Sequence, residues 1–193
     1  MAFQFKIQLE DVEDPEVWRR VIVPETFTFH RFHTVIQEAF GWGDYHLYQF
    51  STKGYKSKEF ITVPHEGYDD DIIDSEEITL QDVFSRKGQT YIYIYDFGDD
   101  WTHKIKLEKI TPEKPLHASC VDGQGACPPE DCGGAWGYDN LRMQLKKANE
   151  QELNESDKEE IEELKDWLGL DADEDWDANA FDLASTNAMV KLV

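Results

Sequence analysis

The spacing of apolar and polar side chains changes period several times along the chain, and each change marks an element. Phe3, Phe5, Ile7 and Leu9 alternate with Gln4, Lys6 and Gln8, the pattern of a strand with one wet face. After a turn-like stretch from Asp11 to Pro15, Val17 to Val23 predicts a second strand, antiparallel to the first. The period then lengthens. Phe29, Phe32, Ile36 and Phe40 recur at helical spacing behind Thr28, and Gly41 sits where a left-handed cap is needed, so the spacing predicts a helix ending at Phe40. Alternation resumes at His46 to Ser51 and briefly at Phe60 to Val63. The acidic run from Glu66 to Glu77 reads as a solvated loop, followed by a single turn capped by Thr79 and carrying Leu80, Val83 and Phe84.

Tyr91 to Tyr95 is apolar on both faces, which predicts a strand covered on two sides. It turns at Asp96-Phe97-Gly98-Asp99-Asp100 and returns with Trp101, His103, Ile105 and Leu107 on one face. Pro112 and Pro115 make Thr111 to Pro115 a linker. Cys120 to Gly134, rich in cysteine, proline and glycine, reads as a loop. Beyond it Tyr138 to Asn149 predicts a helix with Leu141 and Leu145 inward. Ser156-Asp157-Lys158-Glu159 predicts a capping box opening a helix to Leu168, closed by Gly169. A last helix, Asp182 to Lys191, would bury Leu183 and Val190. The expected fold is α+β: an antiparallel sheet with packed helices and a helical, acidic C-terminal third. We expect one domain over residues 1–193, with a core over 3–150 and a helical portion over 155–193.

Charge narrows the function classes. Acidic residues number 41 against 19 basic ones, for a formal charge of -22, and this repels nucleic-acid phosphates and anionic membranes while favouring a cationic partner or a divalent metal. Apolar residues at 40% keep the chain in the folded class despite that charge. No apolar run is long enough to span a bilayer, the first residues lack the order of a signal peptide, and three cysteines do not close a disulfide framework; a cytoplasmic protein is expected.

Two clusters carry chemistry. His117, Cys120, Cys127 and Cys132 offer three thiols and an imidazole within sixteen residues, a candidate zinc set without the usual short cysteine knuckle. Asp96, Asp99 and His103 at the hairpin, with Glu130 and Asp131 in the loop, would suit a hard divalent metal and a metal-bound water if the two segments meet. His103, on the core face beside carboxylates, is a candidate for a raised pKa and proton transfer; a structural imidazole is the plainer alternative. Asp171-x-Asp173-x-Asp175 imitates a calcium loop but has Trp176 where that loop needs glycine.

Several motifs run in a recognisable order. They are Trp18-Arg19-Arg20, His33-x2-Ile36-Gln37 leading to Gly41-Trp42 and His46, Tyr95-Asp96-Phe97-Gly98-Asp99-x-Trp101-x-His103, and Cys120-x2-Gly123-x3-Cys127-Pro128-Pro129-Glu130-Asp131-Cys132-Gly133-Gly134 with Gly137-Tyr138. From about residue 3 to 190 the chain resembles the open-reading-frame-three-like proteins first named from a Ri plasmid. The resemblance implies an α+β domain and brings no assigned activity; His117 lies outside its motifs. Labels such as resolvase or repressor would need recombinase chemistry that this sequence does not contain. The motifs outline a candidate pocket of His33, His46, Asp96, Asp99, Trp101, His103, Glu130, Asp131 and Tyr138. The leading expectation is a non-enzymatic binding or interaction module, taking a protein or a small molecule at that pocket. A metal-dependent hydrolase using His103, Asp96 and Glu130, and a DNA-associated accessory of mobile elements, are the alternatives.

Overall fold

The computed structural model describes residues 1–64, 72–148, 153–171 and 173–193. The two N-terminal alternating stretches form a hairpin, β1 (Ala2–Leu9) and β2 (Trp18–Pro24), with Phe5 opposite Val21. The later ones give β3 (Tyr48–Ser51), β4 (Phe60–Thr62), β5 (Ile72–Asp74), β6 (Thr90–Tyr95), β7 (Trp101–Thr111) and β8 (Ser119–Gln124). These join in one eight-stranded sheet of order β5-β4-β3-β6-β7-β1-β2-β8, antiparallel except for the β4–β5 pair. Five α-helices accompany it among the described residues: α1 (Phe29–Phe40), α2 (Leu80–Val83), α3 (Gly134–Ala148), α4 (Glu155–Leu168) and α5 (Leu183–Val190). The fold is α+β. None of the helices is long and apolar enough to cross a membrane.

Strand periodicity explains which face is dry. Phe5, Ile7 and Leu9 of β1 and Trp101, His103, Ile105 and Leu107 of β7 are buried, whereas Lys104 and Lys106 stand exposed on the other face. Helix α1 covers the dry face. Thr28 Oγ1 accepts from Arg31 N at its start and Gly41 takes φ 89° at its end, and its aromatic stripe packs Phe32 on Phe5 and Phe29 on Phe50 at ring separations of 5.0 and 5.1 Å. Each such ring contributes about 1.5–3 kcal/mol through burial.

Tyr91 to Tyr95 is covered on both faces as expected, its tyrosines by α1 and its Ile92 and Ile94 by the short 3-10 turn Gly54–Lys56, which the chain folds back over them. Four expectations need correction. Residues 72–74, read as acidic loop, add a parallel edge strand to β4; residues 66–71 of that run, like Asn149, lie outside the described residues. Residues 119–124, read as loop, pair with β2, and the glycines there do not prevent the ladder because Gly123 faces Arg19 in register. The cap of α4 is Asn154, whose side chain accepts from Asp157 N, and Ser156 is already the second residue of the helix. Leu183 is 40% exposed; on α5 it is Val190 that is buried, where that helix meets α1 and β8.

Arg19 joins these layers. The residue is only 3% exposed, and its guanidinium donates to Ala39 O (2.8 Å), Trp18 O (2.9 Å), Gln124 O (2.8 Å) and Gly125 O (3.0 Å). Ala39 belongs to the last turn of α1, where the carbonyls carry the negative end of the helix dipole. The rings of Phe40 and Phe181 lie 5.1 and 4.3 Å from the guanidinium carbon. A planar fork reaches four carbonyls that an ammonium on a single stem would not. Arg19→Lys is therefore expected to cost about 2–4 kcal/mol, by stranding buried carbonyls and a buried charge. Urea unfolding checks this, and a change under 0.5 kcal/mol would contradict it.

Candidate functional site

The sequence places Trp42-Gly43-Asp44-Tyr45-His46 directly after the Gly41 cap of α1, so the chain must leave the helix and cross the end of the sheet before β3 begins. Along this crossing Trp42 Nε1 donates to Pro128 O (2.9 Å), Gly43 N to Glu130 Oε1 (2.8 Å) and Tyr45 N to Tyr95 Oη (3.0 Å), while Leu47 O accepts from Asp96 N (2.9 Å). The crossing thus touches both the tip of the β6–β7 hairpin and the cysteine and proline loop. Those two segments also meet directly. Asp99 Oδ2 accepts from Gly133 N at 3.0 Å, and Gly134, at φ 68°, lies so close to Asp99 that a Cβ would stand 2.4 Å from its carbonyl oxygen.

Four ligand-capable side chains converge where the three segments join. His46 Nε2 lies 3.2 Å from Asp131 Oδ1, 3.7 Å from Asp96 Oδ2 and 3.9 Å from Glu130 Oε2. Among the described residues, His46, Asp96 and Asp131 form the one group whose metal-capable atoms all lie within 4.8 Å of one another. Two of the three carboxylates are held by hydrogen bonds of their own. Asp96 Oδ1 accepts from Gly98 N (2.9 Å), and Glu130 Oε1 accepts from both Gly43 N and Tyr95 Oη (3.0 Å). His46 Nε2 and Glu130 Oε2 are buried atoms with no hydrogen-bond partner in the protein. Asp96, Asp131 and Asp44 adopt left-handed backbones, at φ 54°, 55° and 56°. Aspartate tolerates that region better than most residues, at a cost of about 1–2 kcal/mol each, and such cost concentrates at functional sites.

The electrostatics follow from burial. Tyr95 has its hydroxyl pKa raised, first by desolvation and then by the Glu130 carboxylate, so it stays a donor to Glu130. Burial pushes the Cys127 thiol up and the Cys132 thiol up to about 12, with the Asp99 charge adding to the latter. Tyr138 is pushed up to about 12, again by burial first, and donates to Ala126 O at 3.2 Å.

Of the residues singled out in the sequence, His46, Asp96, Glu130 and Asp131 are brought together, and Asp99 ties the tip to the loop. His103 is not among them. It lies fully buried on the helix side of β7, edge-on to Phe40 (4.9 Å) and Trp42 (5.2 Å), with Nδ1 donating to Trp101 O at 2.9 Å. Its pKa is lowered to about 3 by burial, against the rise expected from nearby carboxylates, because those carboxylates face the other end of the strand turn. Trp101 and Tyr138 are core residues, and His33 is buried between Asp44 and Tyr93. Burial holds the His33 imidazole below its usual range, and the His33 hydrogen bond holds Asp44 below the usual carboxylate range. The proposed thiol set is dispersed: Cys120 is buried on β8 with Sγ toward Asp122 O, and His117 is exposed. Among the described residues no group of three close ligand atoms includes a cysteine. Asp44 and Tyr95 were missed as site residues. The signal for Asp44 was available, a short polar residue immediately before Tyr-His in a glycine-flanked helix exit.

Two predictions follow. Gly134→Ala must move the Asp99 backbone or abandon the left-handed turn, and should cost about 2–4 kcal/mol. Gly133→Ala, whose Cβ would meet nothing nearer than 3.6 Å, carries only the backbone penalty. Equal losses for the two in denaturant unfolding would show that tip and loop are not in close contact. For His103, the folded pKa near 3 lies below the ordinary 6.5. The unfolded chain therefore binds more protons between those values, and the contribution is whole above about pH 6.5 and lost as pH falls. His103→Phe should flatten the acid limb of stability against pH between 6.5 and 4 by up to about 1.4 kcal/mol per pH unit; an unchanged limb would contradict a neutral, buried imidazole.

Comparison with known proteins agrees with this architecture. The chain is 39% identical over 140 residues to the uncharacterized protein y4hQ of Sinorhizobium fredii, a match covering 70% of this chain and 68% of that one. A crystal structure of a protein of unknown function, MM3350 from Methanosarcina mazei Go1, superposes with a TM-score of 0.75 at 34% identity and covers 95% of both chains. Residues 1–185 match the family model described as plasmid pRiA4b ORF-3-like protein, and the chain belongs to that family.

Proposed function

We propose that this protein is a cation-dependent binding module whose divalent ion is held by His46, Asp96, Glu130 and Asp131. One observation carries the reading: two buried ligand atoms of opposite character, His46 Nε2 and Glu130 Oε2, lie 3.9 Å apart and neither has a hydrogen-bond partner in the protein. Leaving such atoms unserved costs about 1–3 kcal/mol each. An imidazolium alone would direct one N–H at three carboxylates, whereas a metal ion serves all four groups. Ligand atoms around an ion with bonds near 2.1 Å stand about 3.0–3.4 Å apart; the spacings from His46 Nε2 to the carboxylates are 3.2 to 3.9 Å, with His46, Asp96 and Asp131 the compact group and Glu130 the outlying ligand that must close further. One imidazole with three carboxylates suits Zn²⁺ or Mn²⁺ better than Ca²⁺, which prefers oxygen throughout.

The same ligand set argues for binding over phosphoester hydrolysis. Three carboxylates around one divalent ion leave a formal charge of -1, which opposes an anionic substrate at the metal. The Asp131 side chain is 69% exposed, so the ion would remain reachable from solvent. Tyr45, beside His46, and Trp136, just beyond Gly134, are 77% and 81% exposed and offer apolar contact surface on two of the segments that border the cluster. A neutral or cationic group on a protein or a small molecule fits that surroundings.

Calorimetric titration of purified protein with Mn²⁺ and with Zn²⁺ tests the reading. The wild type should take up one equivalent, and His46→Ala and Glu130→Gln should each bind at least about tenfold more weakly. No uptake by the wild type, or equal uptake by His46→Ala, would contradict it.

A further inference from the structure

The hydrogen bonds around His33 close on themselves. Asp44 N donates to Gln37 Oε1 (3.1 Å), and Gln37 Nε2 donates to Tyr93 Oη (2.9 Å). Tyr93 Oη lies 2.8 Å from His33 Nδ1, and His33 Nε2 lies 2.8 Å from Asp44 Oδ1. A carboxylate only accepts, so the His33 proton is on Nε2 and Nδ1 is the acceptor. The Tyr93 hydroxyl must then donate to Nδ1, which leaves its lone pair for the Gln37 amide. Every direction is fixed, and the ring begins and ends on Asp44. His33, Gln37 and Tyr93 are buried, and the His33 ring is stacked on Tyr48 at 3.6 Å, so the ring has a rigid wall behind it.

Asp44 is also the middle of the crossing that carries His46. Trp42 and Gly43 before it reach Pro128 and Glu130, and Tyr45 after it reaches Tyr95, the residue that donates to Glu130. The ring grips both the main chain and the side chain of Asp44 and holds its left-handed turn against helix α1 and strand β6. Apart from Trp42 N, which donates to Gln37 O of α1, the other hydrogen bonds of the crossing run to the segments that bear carboxylates.

We propose that the Asp44–His33–Tyr93–Gln37 ring is a positioning device, which presets the crossing so that His46 Nε2 faces Asp96, Glu130 and Asp131 before an ion arrives. This rests on the cation-binding reading above. None of the four ring residues would touch the ion; they act through the turn at Asp44. Outer partners of this kind typically change metal affinity by about ten- to a hundredfold.

The test compares Mn²⁺ dissociation constants and melting temperatures for the full chain and its Asp44→Ala, Asp44→Asn, Tyr93→Phe and His46→Ala variants. Asp44→Ala and Tyr93→Phe should weaken Mn²⁺ binding by about tenfold or more. Asp44→Asn, whose side-chain oxygen still accepts from His33, should restore affinity to within about threefold of wild type, a rescue that a general loss of stability would not produce. Asp44 is half-exposed, so its variants keep the test open if Tyr93→Phe does not fold. Wild-type affinity in Asp44→Ala with loss in His46→Ala would overturn the positioning role and leave the cation site standing. Equal weakness of the Asn and Ala variants would also overturn it. No Mn²⁺ uptake by the wild type would overturn both.

Discussion

The carboxylate of Glu130 is the point on which the site depends. One oxygen is saturated, by the amide of Gly43 and the hydroxyl of Tyr95, and these donors come from the helix exit and the end of β6. A side chain gripped from two directions at one oxygen cannot turn its other oxygen away. Glu130 Oε2 is consequently fixed toward His46, in a place where no protein donor meets it. The same grip binds the cysteine and proline loop to the sheet, together with Asp99 on Gly133 and Trp42 on Pro128. Polar bonds here assemble the site and attach a loop in one arrangement, so a change in either function is felt in the other.

The surrounding structure backs that arrangement with a dry and unyielding wall. Aromatic rings from α1, β3, β6 and β7 fill the space behind it, and Trp42 stacks on Tyr95 at 5.1 Å and on Phe40 at 5.3 Å. His103 belongs to this wall. Its unpartnered Nε2 and lowered pKa mark it as an imidazole kept neutral by desolvation, able to fill space beside rings without bringing a charge among them. Arg19 is the converse case, a buried cation retained because four carbonyls and two rings surround it. The two residues show that a buried titratable group need not be a working one, and that the surrounding donors and acceptors decide which it is.

Much of the architecture was legible from periodicity. Phe29, Phe32, Ile36 and Phe40, between a threonine cap and a glycine, define α1 to the residue, and the alternation of β1 and β7 assigns their faces correctly. What failed did so where tertiary pairing overrides local preference. Ser119–Gln124 contains the turn-forming Asp122-Gly123, yet β2 supplies a ladder for it. The site was legible in part for the same reason. The contact between hairpin tip and loop followed from clustering of versatile side chains, and Asp96, Glu130 and Asp131 were found by it. The choice between His103 and His46 was not legible, since His103 lies near the tip in sequence whereas His46 reaches it only through the tertiary fold, and only the left-handed turn at Asp96 and the crossing from α1 decide which ring reaches the carboxylates. The cysteine-bearing loop gathers no group of three close ligand atoms that includes a thiol among the described residues. Its prolines and glycines serve backbone geometry against Asp99, and the thiols remain apart from His117.

On the proposed reading the metal ligands of this protein are an imidazole and carboxylates, gathered by the junction of hairpin, loop and helix exit. X-ray absorption spectroscopy of the zinc-loaded protein should show nitrogen and oxygen alone at about 2.0–2.2 Å, with one imidazole; sulfur scattering at about 2.3 Å would contradict that ligand set and return the metal to the cysteines.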